Sequence, residues 1–162
     1  MGFLVSFFKT TVGKIIKTFL VSMIPVIELR GAIPFGKSEG LNIFTVAVIS
    51  VIGNMIPVPF IIIFIKKIFM FIRKKINKLD GLVTRLEKRA ESKSDRVQKN
   101  AFWGLFILVA IPLPGTGAWT GALVAAMMEM PLKKALPAIT AGVIVAGALV
   151  SLMTCGVIRF IL

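Results

Sequence analysis

Two opposite charges stand inside the apolar run Pro25–Pro34, Pro-Val-Ile-Glu-Leu-Arg-Gly-Ala-Ile-Pro: the carboxylate of Glu28 and the guanidinium of Arg30. An ionisable group in a membrane-type segment is costly and marks a functional site by default. Glu28 suits proton exchange or the neutralisation of a cation, because burial disfavours its charged form while a nearby Arg30 favours it. Arg30 suits a phosphate or carboxylate, which its planar fork can grip with two hydrogen bonds. The alternative for both is structural: they pair, or bond the backbone around them, and hold its shape. Residues two apart do not face each other on a helix, so a direct pair requires broken backbone.

The prolines supply that break. Pro25 and Pro34 each lack an N–H and restrict the residue before them, so a continuous helix through the segment is not expected. Irregular backbone at membrane depth survives only where protein covers it or a wet cavity borders it. Pro25, Gly31 and Pro34 therefore read as the turn of a re-entrant hairpin. A second, charge-free break lies at Pro112-Leu-Pro-Gly-Thr-Gly117, where Pro112, Pro114, Gly115 and Gly117 are the turn residues. The flanking stretches Ala101–Ile111 and Ala118–Met128 are each about 16 Å of helix, roughly half of a ~30 Å hydrocarbon core. Thr116 and Trp119 are candidates to line the pocket, with Trp119 equally a packing anchor. Asn54, near Pro57 and Pro59, either bonds the carbonyls that those prolines free or contacts substrate. Helix N-termini after Gly31 and after Gly115–Gly117 would add N–H donors for an anion. Gly115–Gly121 is not read as a nucleotide loop, because its third glycine is displaced by one place and no strand precedes it.

Composition narrows the remaining classes. The chain has 162 residues, 57% of them hydrophobic, with a mean hydropathy of +0.93. Leu41–Ile65, Ala101–Met128 and Ala135–Ile158 are uncharged and each exceeds the roughly 18 residues of a membrane-span candidate. There is no histidine and one cysteine, Cys155, so no disulfide, no metal site, no cofactor and no histidine-based catalysis is expected. No nucleophile–base pair is visible either, and the chain is not read as an enzyme. Of seven carboxylates, Glu28, Glu39 and Glu129 are the three near the membrane. The net charge of +13 is assigned to lipid headgroups and membrane orientation, with no nucleic-acid partner. No cleaved signal peptide is expected.

The expected organisation is a single all-α integral membrane domain, 1–162, with an inverted repeat of two re-entrant hairpins each followed by a transmembrane helix. Residues 1–20 read as an interfacial amphipathic helix, with Thr10, Gly13, Lys14 and Lys17 on one side; a tilted span is the alternative. Residues 21–65 hold the first hairpin and crossing, and 101–162 the second. Between them, 66–100 reads as a basic cytoplasmic amphipathic segment: positions 66–99 carry twelve of the twenty Lys and Arg residues against four acids. Its apolar stripe is expected on anionic lipid headgroups or on the protein's own spans, with a dimerising coiled coil as the alternative.

Met23-Ile-Pro-Val-Ile-Glu-Leu-Arg-Gly aligns with Ala110-Ile-Pro-Leu-Pro-Gly-Thr-Gly-Ala: Ile-Pro-aliphatic near the start, a small residue ninth. One crossing separates the halves, so they would be inverted, as in many transporters whose sites form at the bilayer midplane. The motifs Ile24-Pro25-Val-Ile-Glu28-Leu-Arg30-Gly31-Ala-Ile-Pro34 and Ile111-Pro-Leu-Pro-Gly-Thr-Gly-Ala-Trp119-Thr-Gly121 resemble those of the prokaryotic small multidrug export protein family, over essentially the whole chain. That family resembles, more remotely, the DedA/VTT membrane proteins, with their paired re-entrant hairpins and implied movement of polyprenyl phosphate or lipid headgroups. Thr116 stands where the DedA hairpin would carry its acid. The resemblance implies an exporter in the prokaryotic inner membrane; a lipid flippase or scramblase and a non-transporting scaffold are the alternatives. The expected partners are membrane lipids, a small-molecule or lipid-headgroup substrate, and further copies of the chain, since one copy would poorly shield two hairpins from lipid.

Overall fold

The computed structural model describes residues 7, 9–75, 81, 84–85, 88, 100–113 and 115–161, and every regular element among them is helical. The helices are α1 (Thr11–Met23), α2 (Glu28–Ser38), α3 (Ile43–Met55), α4 (Pro57–Lys75), α5 (Ala101–Ala110), α6 (Ala118–Met127) and α7 (Leu132–Ile161). Two stretches are long and apolar enough to cross a membrane: Ile43–Ile65, with mean hydropathy 2.4, and Leu132–Gly156, with 2.1. The chain divides into two compact units, one of Met1–Ile56 with Val143–Leu162, the other of Pro57–Gly142. Pro114, residues 1–6 and most of the basic segment beyond α4, with its expected amphipathic stripe, lie outside the described residues.

In the first unit α1, α2 and α3 pack on one another in all three pairs. Thr10 starts α1 by accepting a hydrogen bond from the Gly13 N–H at 3.2 Å. The helix then turns Val12, Ile16 and Leu20 outward and buries Gly13, Thr18 and Ser22. Small residues inward and large apolar ones outward is the membrane arrangement, where close backbone approach replaces hydrophobic attraction between helices. Lys14 donates to the Glu39 carbonyl at 2.6 Å, and Lys17 pairs with the Glu39 carboxylate at 2.9 Å. The basic side of α1 thus ties to the turn after α2. Both partners of the ion pair are partly exposed, so it contributes about 1 kcal/mol at most.

The prolines act differently from one another. The expected break over Pro25–Pro34 is narrower: the turn is Pro25–Ile27, and Gly31 and Pro34 lie inside α2. Gly31 is required by packing rather than by turning, because a Cβ there would strike Ile27 Cγ2. Pro57 and Pro59 do more than bend a helix. α3 stops at Met55, and α4 begins on Pro57, where a fixed φ fits and a missing N–H costs nothing.

In the second unit α6 packs against α4 and α5. α5 and α6 have ten residues each, about 15 Å of helix. Gly121 of α6 lies against Val109 and Leu105 of α5, so the chain folds back across the break. α7 closes on the same place: a Cβ at Gly142 would sit 2.7 Å from Val109 Cβ and 2.9 Å from the Phe106 carbonyl.

The closest packing in the first unit is at Gly53, where a Cβ would collide with Ser22 Oγ and lie 2.8 Å from the Phe19 carbonyl, whereas Gly156 faces open space. Gly53→Val should therefore destabilise the detergent-solubilised protein by about 1–3 kcal/mol, the usual cost of overpacking, and Gly156→Val should cost far less, as read from thermal unfolding midpoints.

Candidate functional site

The turn Pro25–Ile27 bends the backbone hard enough to put two non-glycine residues at positive φ, Val26 at 75° and Glu28 at 50°. A β-branched residue in this region is an outlier, and each such residue costs on the order of 1–3 kcal/mol unless its surroundings hold it. Val26 points away, 93% exposed, while Glu28 opens α2 with 4% exposure. A carboxylate in the first turn of a helix sits at the positive end of the macrodipole. Arg30, half-buried in the same turn, feels the Glu28 charge directly, and both side chains are engaged with partners. The opposite charges thus share the first turn of α2, two residues apart and directly after the strained bend.

Along the seam between α1, α2 and α3 polar side chains face inward. Thr18, Ser22, Ser50 and Asn54 are each 0% exposed. Thr18 donates to the Lys14 carbonyl at 2.9 Å and Ser22 to the Phe19 carbonyl at 2.6 Å, so both hydroxyls are held by α1 itself. Ser50 and Asn54, one turn apart on α3, are different: Ser50 Oγ and Asn54 Oδ1 and Nδ2 have no hydrogen-bond partner among the described residues. Leaving such groups unmade costs about 1–3 kcal/mol each. The bond expected from Asn54 to the carbonyls at the Pro57 break is not formed; the break is linked instead by Ile56 N–H to the Gly53 carbonyl at 3.4 Å. Sequence reading named Asn54 and missed Thr18, Ser22 and Ser50. Their signal was the i, i+4 spacing of Thr18 with Ser22 and of Ser50 with Asn54, each pair on one helical face.

Glu28, Arg30 and Asn54 belong to the first unit; Pro112, Gly115, Thr116, Gly117 and Trp119 belong to the second. In the second break Gly115 and Gly117 take φ of 80° and 129°, which explains the choice of glycine. Thr116 Oγ1 lies 2.8 Å from the carbonyls of both Ile111 and Leu113, so its hydroxyl closes the loop. Thr120 ties the start of α6 to the Gly115 carbonyl at 3.2 Å, and Trp119 beside it is half-buried and engaged. Among the described residues there is no group of three or more His, Cys, Asp or Glu side chains able to hold a metal. The first unit also carries an apolar groove of about 400 Å³ between α3 and the second half of α7, bordered by Phe44, Val48, Val51, Ile144 and Ala148.

Two apolar stretches of crossing length, outward-facing large hydrophobics and an inward polar seam define an all-helical membrane protein. The chain belongs to the family described as "Putative small multi-drug export protein", whose model matches residues 28–149, from Glu28 into α7. No curated protein and no solved structure matches the chain.

If the bend is strained at Val26, glycine there should be tolerated or better. Val26→Gly should keep or raise the unfolding midpoint, whereas Val48→Gly on the exposed face of α3 should lower it, at a stability cost of about 0.5 kcal/mol.

Proposed function

We propose that this chain is a proton-coupled exporter of small apolar molecules in which Glu28 carries the proton. The observation that supports this most is the near-complete burial of Glu28, 4% exposed, at a backbone position that is costly for a non-glycine residue. A cheaper geometry would put the carboxylate in solvent, so its retention at this bend points to use. Arg30 in the same turn favours the charged acid; a proton on Glu28 removes that attraction and changes how the turn is held. The apolar groove in the same unit suits hydrophobic cargo in size and lining. In this reading the Pro25–Ile27 bend is the floor of a re-entrant hairpin, and the Ile111–Gly117 break is its inverted counterpart at the bilayer midplane. The pairing of the two breaks rests on the sequence repeat.

In vesicles reconstituted with the protein, an imposed pH gradient should drive flux of a lipophilic dye. Glu28→Gln should cut that flux at least tenfold, and Glu28→Asp should retain part of it. Full gradient-driven flux in Glu28→Gln would remove the proposal.

A lipid-headgroup flippase is the second reading, and the half-buried Arg30 in the first turn of α2 favours it. A guanidinium beside helix N-terminal N–H groups is a donor set for phosphate. Translocation of a labelled anionic lipid should then fall at least tenfold in Arg30→Ala, and unchanged translocation in that variant excludes the flippase.

A further inference from the structure

We infer that Ser50 and Asn54 hold ordered water at the depth of Glu28, and that this water is the route by which the carboxylate exchanges its proton. The inference rests on the reading of Glu28 as the proton carrier and adds the path that such a buried acid needs.

Helix register places the residues together. α2 and α3 are joined by the short turn Glu39–Asn42, and Gly36 of α2 lies against Val46 of α3: a Cβ on Gly36 would be 2.9 Å from Val46 Cγ1. Short connections make neighbouring helices antiparallel. Two i, i+4 steps back from Gly36 lead through Ala32 to Glu28, and all three residues are buried. Two steps forward from Val46 lead through Ser50 to Asn54, and these too are buried. Glu28 and Asn54 therefore lie at the same level, about 12 Å along each helix from the shared contact. Ser22 of α1, in contact with the position of Gly53, brings a further hydroxyl oxygen to this level from the third helix.

The donor set identifies the ligand. Ser50 Oγ and Asn54 Oδ1 and Nδ2, fully buried and unpartnered among the described residues, comprise one hydroxyl, one acceptor and one amide donor. A cation would face the Asn54 N–H₂, and an anion would face its Oδ1. Water satisfies both, and buried water is stable where it bonds several otherwise unpartnered polar groups. Among the described residues of α1, α2 and α3, Glu28 and its neighbour Arg30 are the charges at this level. Lys14 and Lys17 of α1 are bound to Glu39 at the far end of α2, Lys37 lies at that same end, and α3 has no charged residue. Protonation then proceeds without other chemistry. The carboxylate takes a proton from the adjacent water, which is replenished from the next along the chain to the aqueous side, and release runs the same steps in reverse.

The test is proton entry into vesicles under an imposed pH gradient, read by an interior pH dye, for the unchanged protein, Glu28→Gln and Ser50→Ala/Asn54→Leu. The expected result is a loss of at least tenfold in both variants, with the double variant inserted and folded as judged by its unfolding midpoint. Should the double variant fail to fold, the single changes Ser50→Ala and Asn54→Ser should each slow proton entry severalfold. Proton entry that is lost in Glu28→Gln but stays within twofold of normal in the Ser50 and Asn54 variants overturns the water route and leaves the carrier reading standing. Proton entry that survives Glu28→Gln overturns both.

Discussion

Close approach of α1 to its two neighbours, at Gly36 and Gly53, is the constraint on which the first unit depends. Each glycine accepts a side chain of α1 where a Cβ would meet Thr18 or Ser22. In a membrane setting apolar side chains gain little by leaving lipid for protein, so contact geometry and buried hydrogen bonds hold helices together. Thr18 and Ser22 fit that scheme because each hydroxyl bonds a carbonyl of its own helix and can lie against a neighbour at little polar cost. The same tight seam leaves Ser50 and Asn54 inside with no such backbone bond. A low dielectric makes unmade polar groups expensive, so their presence is informative in a way that Thr18 and Ser22 are not.

The bend before α2 is held from both ends. At one end Pro25 fixes the chain's entry, and Val26 and Glu28 absorb the turn at positive φ. At the other, Lys14 and Lys17 clasp Glu39, which anchors the turn from α2 into α3 against α1. Packing along Leu29, Ala32, Ile33 and Gly36 fills the space between. A strained backbone persists only where its surroundings over-determine it, and this helix is fixed along its whole length. The acid is consequently presented by a rigid element rather than by a loop.

The second unit solves its own break with neutral groups. Thr116 satisfies carbonyls within the loop, and Gly115 and Gly117 supply the left-handed turns. Gly121 and Gly142 allow α5, α6 and the start of α7 to meet around Val109. The family match from Glu28 to residue 149 takes in Glu28, Arg30, the polar face of α3 and the second break, while α1 and the Pro25–Ile27 turn precede it.

Several features follow from the chain alone. The apolar stretches of crossing length and the two short helices around Ile111–Gly117 are written in hydropathy, proline placement and length, whereas Pro57 and Pro59 read as a bend and the structure ends one helix and starts another there. So is the family, through the motifs that carry Glu28, Arg30 and the second break. Other features needed the folded molecule. Pro34 and Gly31 look like turn residues in one dimension but lie within α2, because Val26 and Glu28 had already reversed the chain. Lys14 and Lys17 mark the polar side of α1 in sequence, but only the fold gives them Glu39, a partner more than twenty residues away. Periodicity shows that a helix has a polar and an apolar side. Which side of α1 faces inward was decided by glycines on neighbouring helices, whose contacts across the bundle cover Thr18 and Ser22, and the same packing buries Ser50 and Asn54 of α3.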